Sequence, residues 1–296
     1  MNFMGPKKKW WFIISGLVIL PGILSLVFWG LRLGIDFKGG TILELKSKNE
    51  KVKTEEVKNA LKPLNLPGLT IVSTGPSSFL LKTAPIEPQT VDKIKESLKE
   101  KYGQIEEIRY ETVGPVVGQD LKRKAIWAVV LACVGIILYI AWAFRNIPKP
   151  YSSFKFGLCA IIALLHDVLV VLGTFSIVGH FLGYEVDAYF ITALLTVLGF
   201  SVHDTIVVFD RIRENLKRLP GVNFETIANE SVAQTLTRSI NTSMTVLLTL
   251  LALFLLGGES TKPFVLALLI GVTTGTYSSI FNATPLLVVW QRRSKP

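Results

Sequence analysis

The sequence predicts a polytopic α-helical membrane protein with six transmembrane helices and one small α+β domain outside the membrane. Half of the 296 residues are hydrophobic, and the mean hydropathy of +0.46 is high for a water-soluble chain. The apolar residues also gather into runs close to the roughly 20 residues that a membrane-spanning helix needs. The six runs are Trp10–Leu31, Ala125–Phe144, Phe154–Val178, Ala188–Phe209, Ser239–Leu256 and Phe264–Trp290.

The first apolar run follows a basic start, Lys7 to Lys9. A secretory signal peptide also begins with basic residues, but its apolar core is shorter and a small-residue cleavage site follows it. No such site follows Trp10–Leu31. We therefore interpret residues 1–31 as an N-terminal segment and a retained first transmembrane helix.

The polar segment 32–124, between the first two apolar runs, is long enough to form a small domain. Its hydrophobic periodicity predicts the order strand, helix, strand, strand, helix, strand, which is typical of a ferredoxin-like βαββαβ domain. Asp36 begins the stretch DFKGG just before the first strand, and Gly39 and Gly40 are typical of a turn. The six elements are expected at 41–46, 54–64, 69–74, 78–83, 88–103 and 105–114.

Basic residues indicate which side of the membrane each helix end faces. The formal net charge is +10, and cytoplasmic loops of membrane proteins carry an excess of lysine and arginine. This rule places both termini in the cytoplasm. Residues 125–296 are expected to contain transmembrane helices 2 to 6, and the same rule places their connection at about 210–237 in the cytoplasm. Lys122 to Lys124 lie on the opposite side, which is tolerated because long loops cross the membrane largely regardless of charge. We therefore expect the positive charge to reflect membrane topology, and we expect the chain to interact with the membrane and not with nucleic acid.

Ionisable side chains interrupt three of the later helices. His166 and Asp167 lie near the middle of the third, His203 and Asp204 in the inner part of the fourth, and Arg238 at the start of the fifth. A charge at mid-bilayer costs about 2.5–3.5 kcal/mol on insertion scales. Asp204 and Arg238 lie toward the cytoplasmic ends of consecutive antiparallel helices, so an ion pair between them is expected. Burial favours the protonated carboxyl group and a guanidinium favours the ionised one, which suits a group that loads and releases protons.

Two patterns indicate that these helices surround a polar interior. Asn241, Thr242 and Thr245 follow Arg238 at three, four and seven residues, which places them on one helix face. Such a polar stripe is not expected to face lipid. In the sixth helix, small residues recur every four positions and would allow close helix packing. These small residues are Ala267, Gly271, Gly275 and Ser279.

Structural roles for the same residues stay open. Arg238 could extend its side chain to the inner interface, as arginines at helix ends often do. His166 could be a buried histidine satisfied by its neighbours, and Asp204 could join two helices by a hydrogen bond. From the residues alone, a proton relay and static polar packing are equally compatible with the pattern.

Five stretches taken together and in order resemble the SecF subunits of the SecDF protein translocase, within the resistance-nodulation-division superfamily. The resemblance covers the chain from about residue 7 to 293. No single stretch is specific, but their combination around a ferredoxin-like domain is. The stretches are LGIDFKGGT (33–41), VGPVVGQDL (113–121), LLHDVLVVLG (164–173), VHDTIVVFDRIREN (202–215) and TLTRSINTS (235–243).

The resemblance implies roles for individual residues. Asp204 matches the intramembrane proton-relay aspartate of the family, and Arg238 matches the arginine that interacts with it. Asp167 is a similar candidate. The segment from Asp36 through Gly39 and Gly40 would have a structural or coupling role. His203 departs from the asparagine that often precedes the relay aspartate, so it is either a second titratable group or a neutral replacement for the amide.

The resemblance also implies the partners and the location. The subunit would pair with SecD in the cell inner membrane, next to the SecYEG channel and its ATPase SecA, with YajC as a further candidate partner. It would use the proton-motive force to assist the late export of unfolded polypeptides. The sequence contains no phosphate-binding loop, metal-ligand cluster or nucleophile triad, so we expect no enzyme activity, no cofactor and no metal.

Two other functions remain as alternatives at this point. The chain could be half of a small-molecule or lipid exporter of the same superfamily, although such exporters usually carry twice as many helices in one chain. It could also be a passive assembly factor without proton flux. Replacing Asp204 by asparagine distinguishes this last case, because a passive scaffold should tolerate the change.

Overall fold

The computed structural model describes residue 4 and residues 8–48 and 52–292. Lys7, in the predicted basic start, lies outside the described residues. The chain divides into two compact units. The helical unit comprises Met1–Arg32, Ala128–Gly257 and Thr261–Pro296, and the α/β unit comprises Leu33–Trp127 and Gly258–Ser260.

The α/β unit contains one antiparallel sheet of four strands in the order β2-β3-β1-β4. Strand β1 lies in the interior of the sheet, and a register shift between Glu44 and Leu45 interrupts its pairing with β4. The order of strands and longer helices is the predicted one, with bounds that differ by a few residues. These elements are α2 (Ile35–Lys38), β1 (Gly40–Ser47), α3 (Thr54–Leu61), a 3-10 turn (Lys62–Leu64), β2 (Thr70–Ser73), β3 (Ser78–Thr83), α4 (Pro88–Tyr102) and β4 (Ile105–Val113).

The core of this unit forms between one face of the sheet and the helices α3 and α4. Apolar residues alternate along β1 and β3, so that Leu43, Leu45, Phe79 and Leu81 point to the same face. The apolar faces of the two helices, at three- and four-residue spacing, cover this face. The buried helix residues are Val57, Leu61, Val91, Ile94, Leu98 and Tyr102.

Six helical segments among the described residues are long and apolar enough to cross a membrane. The predicted multi-pass membrane architecture is therefore confirmed. The helices are α1 (Lys8–Phe28), α5 (Pro115–Ala143), α6 (Ser153–Leu182), α7 (Ala188–Arg218), α8 (Phe224–Leu256), and the pair α9 (Lys262–Ser278) and α10 (Thr284–Arg292), which a π-helical segment (Ser279–Ala283) joins.

Several helices continue well beyond their apolar parts. α7 extends to Arg218 and α8 begins at Phe224, so most of the predicted connection 210–237 is helical. The break falls at Pro220-Gly221, where Gly221 has a φ of +83° that favours glycine. The apolar pattern therefore located the helices but not their ends, because helix formation continues through polar residues until a proline or glycine stops it.

Helices α6, α7 and α9 form the centre of the helical unit. Along the contact of α7 with α9, a Cβ atom on Gly271 would overlap the side chain of Val197. One turn further, a Cβ atom on Gly275 would lie 3.0 Å from the Cα atom of Ser201. The small residues at four-residue spacing therefore allow the close packing that the sequence predicts, because only glycine leaves room for the neighbouring helix.

Candidate functional site

Asp167 is a fully buried carboxylate at the junction of α6, α7 and α9. Its Oδ2 atom accepts hydrogen bonds from the hydroxyl groups of Ser201 on α7, at 2.5 Å, and Ser278 on α9, at 2.6 Å. Its Oδ1 atom lies 2.9 Å from Nδ1 of His166. Three polar neighbours thus compensate the loss of water around this carboxylate, and they join three helices at one point.

Asp204, the second buried carboxylate, belongs to α7 and is 3% exposed. Its Oδ2 atom accepts a hydrogen bond from the Thr276 hydroxyl on α9, at 3.0 Å. The Thr276 hydroxyl in turn lies 2.5 Å from the Ser243 hydroxyl on α8. Donation from Ser243 to Thr276 and from Thr276 to Asp204 gives one continuous chain of hydrogen bonds across three helices. On α8, the buried hydroxyl of Ser239, one turn from Ser243, lacks a hydrogen-bond partner among the described residues.

Both carboxylates lie at a similar level along their helices. With a rise of 1.5 Å per residue, Asp204 is about 24 Å from the start of α7 and Asp167 about 22 Å from the end of α6. These two helix ends are joined by the short loop 183–187. On α7, Ser201 and Asp204 are neighbours one turn apart, so the two carboxylate sites share both α7 and α9. One turn after Ser201 on α7, the hydroxyl of Thr205 forms a 2.8 Å hydrogen bond with that of Ser279, which follows α9.

A further polar cluster lies on the side of α9 that faces α1. The Ser15 hydroxyl donates to Oδ1 of Asn282, in the π-helical segment, at 2.7 Å. Tyr277 donates to the carbonyl oxygen of Trp11 at 3.0 Å, and its ring lies 6.5 Å from that of His166. Nε2 of His166 and Nδ2 of Asn282 are buried without hydrogen-bond partners among the described residues. π-helical segments in membrane and soluble proteins often occur at functional sites.

Arg238 and His203 are exposed on the surface of this chain. Arg238 and Asp204 do not form an ion pair in this structure, because the residue of α8 that turns toward α9 is the next one, Ser239. One helical residue corresponds to a rotation of 100°, so Arg238 and Ser239 lie on different faces of α8. The expected ion pair is therefore not observed, and the relay roles of both residues stay predictions.

The predicted polar stripe on α8 is also exposed. Asn241, Thr242 and Thr245 are all exposed side chains. The Thr242 hydroxyl donates to the carbonyl oxygen of Arg238 at 2.9 Å, and the Thr245 hydroxyl to that of Thr242 at 2.8 Å. The threonine hydroxyls are thus satisfied within α8, whereas the Arg238 and Asn241 side chains are exposed.

The DFKGG stretch forms a tight corner within the α/β unit. Asp36 belongs to the short helix α2, and Gly39 follows with a φ of +78°. A Cβ atom on Gly39 would lie 3.1 Å from the Cα atom of Pro115, and one on Gly40 would lie 2.8 Å from the carbonyl oxygen of Thr83. Gly39 therefore lets the chain that leads into β1 pack directly against the beginning of α5, and Gly40 lets it pack against the end of β3.

The sequence pattern located both carboxylates but missed the hydroxyl groups that hold them. Ser201, Ser243, Thr276 and Ser278 were not predicted, although the stretch GVTTGTYSSIFNATP is unusually rich in hydroxyl residues for a transmembrane helix. No group of three or more potential metal ligands occurs among the described histidine, cysteine, aspartate and glutamate residues. The site is thus one of carboxylates and hydroxyl donors. Protonation of Asp204 would add one O–H donor to a group that otherwise only accepts, which would allow its bond with Thr276 to reverse.

Two family models match the chain. The model of the SecD/SecF GG motif matches residues 25–51, which contain the glycine corner. The model described as protein export membrane protein SecD/SecF, C-terminal, matches residues 93–293, which contain both carboxylates.

Individual relatives are similar over nearly the whole chain. The protein translocase subunit SecF of Thermobaculum terrenum is 49% identical over 294 residues, covering 95% of this chain and 92% of that protein. The protein translocase subunit SecDF of Bacillus subtilis is 37% identical and is matched over 97% of this chain but only 38% of its own length. The crystal structure of SecDF from Thermus thermophilus, described as a translocon-associated membrane protein, is similar with a TM-score of 0.85 and 34% identity. That match covers 99% of this chain and 39% of that chain.

Proposed function

Because the chain belongs to the SecD/SecF protein export family, we propose that it is a SecF-type subunit that couples the proton-motive force to protein export. It assists a late stage, in which unfolded polypeptides leave the translocation channel. In this proposal the chain is not itself an enzyme. Its work comes from ion movement through the buried carboxylates, and ATP hydrolysis belongs to SecA.

The observation that carries the proposal is the environment of Asp204. Burying a carboxylate within the span costs several kcal/mol. Asp204 accepts a hydrogen bond from a hydroxyl group, and among the described residues it has no ion pair within 4 Å. Protonation would add a donor to this carboxyl group, and the hydrogen bond to Thr276 that links α7, α8 and α9 could then reverse its direction. A group whose charge state alters a contact among three helices can favour one of two helix arrangements over the other.

The electrical potential supplies enough energy for such a change. Moving one elementary charge through 100 mV yields about 2.3 kcal/mol. Shifting an equilibrium from 1:99 to 99:1 takes about 5.5 kcal/mol. Two protons yield about 4.6 kcal/mol and three yield about 6.9 kcal/mol, so three protons are sufficient. Asp167 is the second candidate for a proton-binding group, with His166 as its hydrogen-bonded neighbour.

We propose SecD as the partner that covers the exposed polar face of α7 and α8. His203, Arg238 and Asn241 are exposed in this chain at membrane depth, where contact with lipid is unfavourable. A second helical subunit with a complementary carboxylate would satisfy the Arg238 guanidinium. The Bacillus subtilis relative is named SecDF and joins a matching part to a longer chain, which supports a SecD partner.

The remaining partners and the location follow from the same family. We propose that the complex lies in the inner membrane with both termini of this chain in the cytoplasm, beside the SecYEG channel and SecA. YajC is a further candidate partner. The α/β unit would lie outside the cytoplasm and interact with the emerging polypeptide. The glycine corner at Gly39 and Gly40 would transmit helix movement to it, because α5 begins against that corner.

An exporter half for small molecules or lipids is not favoured as the alternative, because the relatives that match the whole chain are named as protein translocase subunits. A passive assembly factor without ion flux is separated from the proposal by experiment. The two cases differ in whether the charge of Asp204 matters once the complex has assembled.

The test measures protein export in cells depleted of this subunit and supplied with variants at equal membrane abundance. We expect Asp204→Asn and Arg238→Ala to reduce export to the level of depleted cells while SecD still co-purifies. Asp210→Asn is the matched control, since Asp210 lies on the same helix but is exposed and pairs with Arg213 at 2.5 Å. Exposed pairs of this kind contribute at most about 1 kcal/mol.

The outcomes separate the two functions. Normal export by Asp204→Asn, with SecD bound, would show that the carboxylate packs helices and that the chain does not couple protons through it. Loss of SecD together with loss of export would assign Asp204 to assembly. An equal defect in Asp210→Asn would show that the assay responds to surface charge rather than to the buried site.

A further inference from the structure

The basic residues Lys122 to Lys124 are not explained by membrane topology or by the buried carboxylates. In the proposed orientation they lie on the side of the membrane where a positive cluster is unusual. The length of the preceding loop explains why such a cluster is tolerated, but it does not explain what the cluster does. In the structure they belong to α5, which begins at Pro115 and continues without a break to Ala143. The basic cluster is therefore part of a rigid helix rather than of a mobile loop.

Two of the three basic residues lie on one face of α5. Lys122 and Arg123 line a shallow cavity together with Gln119, Ile126 and Trp127. These positions are separated by three, one, three and one residues, which is the spacing of a single helix face. All five side chains are exposed. We call this surface the α5 basic face.

The third basic residue points elsewhere and already has a partner. Nζ of Lys124 lies 2.7 Å from the carboxylate of Asp120, one turn earlier on the same helix. Among the described residues, no carboxylate lies within 4 Å of Lys122 or Arg123. The two cations on the α5 basic face are thus available for an anion, whereas Lys124 is not.

The sequence of α5 indicates that its basic face lies where headgroups meet acyl chains. The apolar run begins at Ala125, and Trp127 is the kind of residue that is enriched at membrane interfaces. Lys122 is five residues before Trp127, or about 7.5 Å further out along the helix axis. A phosphate beside Lys122 and Arg123 would therefore place its attached acyl chains next to Ile126 and Trp127.

We propose that the α5 basic face binds the headgroup phosphate of an anionic phospholipid in the outer leaflet. Arg123 can donate two hydrogen bonds to one phosphate group, and Lys122 adds a second positive charge. Phosphatidylglycerol leaves the phosphate charge uncompensated, whereas phosphatidylcholine neutralises it with its own ammonium group. The site would hold α5 at a fixed depth, and it does not depend on proton coupling.

Quenching of Trp127 fluorescence tests the proposal with the full chain in lipid nanodiscs. The lipids are brominated phosphatidylglycerol or brominated phosphatidylcholine, since bromine quenches tryptophan at short range. Trp127→Phe is measured in parallel, and its signal is subtracted to remove the other five of the six tryptophans. The result is the preference of this face for one lipid over the other.

We expect the wild type to prefer phosphatidylglycerol and the double variant Lys122→Gln/Arg123→Gln to lose most of that preference. A basic residue near a membrane surface contributes roughly 5-fold, so the pair contributes roughly 30-fold at low salt. Lys124→Gln is the matched control and should keep the preference. Raising the salt concentration should reduce the wild-type preference, because these charges are exposed.

Three results would overturn the proposal. One is equal quenching by both lipids in the wild type, and another is an equal loss in Lys124→Gln, which would indicate unspecific surface charge. The third is a preference that disappears when SecD is bound, which would make the face a protein contact. If the glutamine variant is unstable, Lys122→Glu/Arg123→Glu replaces it and should reverse the preference. None of these results affects the export test, which measures a different site.

Discussion

Replacing Gly275 by alanine tests whether the close contact of α7 with α9 sets the geometry of both buried carboxylates. The added Cβ atom would lie 3.0 Å from both the Cα and the Cβ atoms of Ser201. These atoms belong to or adjoin the backbone of α7, so no side-chain rotation can relieve the overlap. The two helices would have to separate.

The size of the effect follows from the contact distances. Carbon atoms in contact prefer about 3.5–4.0 Å, so the helices must separate by at least about 0.5 Å. Overpacking of this kind costs about 1–3 kcal/mol. The hydrogen bond between Thr205 and Ser279, now 2.8 Å, would lengthen to about 3.3 Å and weaken, because it joins the same two helices.

The free energy of unfolding in a detergent titration measures this cost. Gly199→Ala is the matched control, since Gly199 lies on α7 and a Cβ atom there would meet no atom within 4 Å. We expect Gly275→Ala to be less stable than the wild type by about 1–3 kcal/mol and Gly199→Ala to be unchanged or slightly more stable. Equal stability of the two variants would contradict the argument, because it would mean that the helices adjust without cost.

Three further predictions concern other parts of the molecule. Ser201→Ala combined with Ser278→Ala removes two hydroxyl donors from the buried carboxylate on α6, and should cost about 0.6–2 kcal/mol per bond in the same titration. Wild-type stability would show that the carboxylate finds other donors. Leu45→Ala, in the core of the α/β unit, should cost about 2–5 kcal/mol in a thermal or denaturant titration of the full chain. The same change at the exposed Val72 is its control and should cost far less. Gly39→Ala introduces a side chain at a φ of +78° and a ψ of +152°, a region essentially restricted to glycine, and should cost about 1–3 kcal/mol. Its export should fall more than its stability explains, and a defect proportional to stability would assign the glycine a purely structural role.

The fold could be predicted wherever the periodicity of apolar residues decided the structure. In the α/β unit, the alternation in SFLLKT and the helical spacing of Val91, Ile94 and Leu98 each allowed one assignment, and the structure has these elements at nearly the predicted bounds. Helix ends were harder to predict. α8 begins at Phe224 rather than near Ser239, because its first turns are polar yet form helix without interruption.

The candidate site could be predicted only in part, for a different reason. Asp167 and Asp204 were evident because carboxylates are rare in transmembrane helices. Their hydroxyl partners were not, because serine and threonine are common there and often bond to their own helix backbone. The stripe that begins at Arg238 was assigned to one face correctly. Sequence periodicity does not indicate which neighbour a face meets, and in this chain the stripe remains uncovered.

The threonines of the exposed α7 and α8 faces have one more consequence. Thr192, Thr196, Thr242, Thr245 and Thr249 all donate their hydroxyl hydrogens to carbonyl oxygens of their own helices. A partner helix lying against such a surface would make few hydrogen bonds that fix its register. It could slide along the axis by part of a turn without breaking polar contacts, held mainly by the guanidinium of Arg238. In a subunit that converts ion movement into displacement, this surface would allow a partner helix to slide rather than hold it in one position.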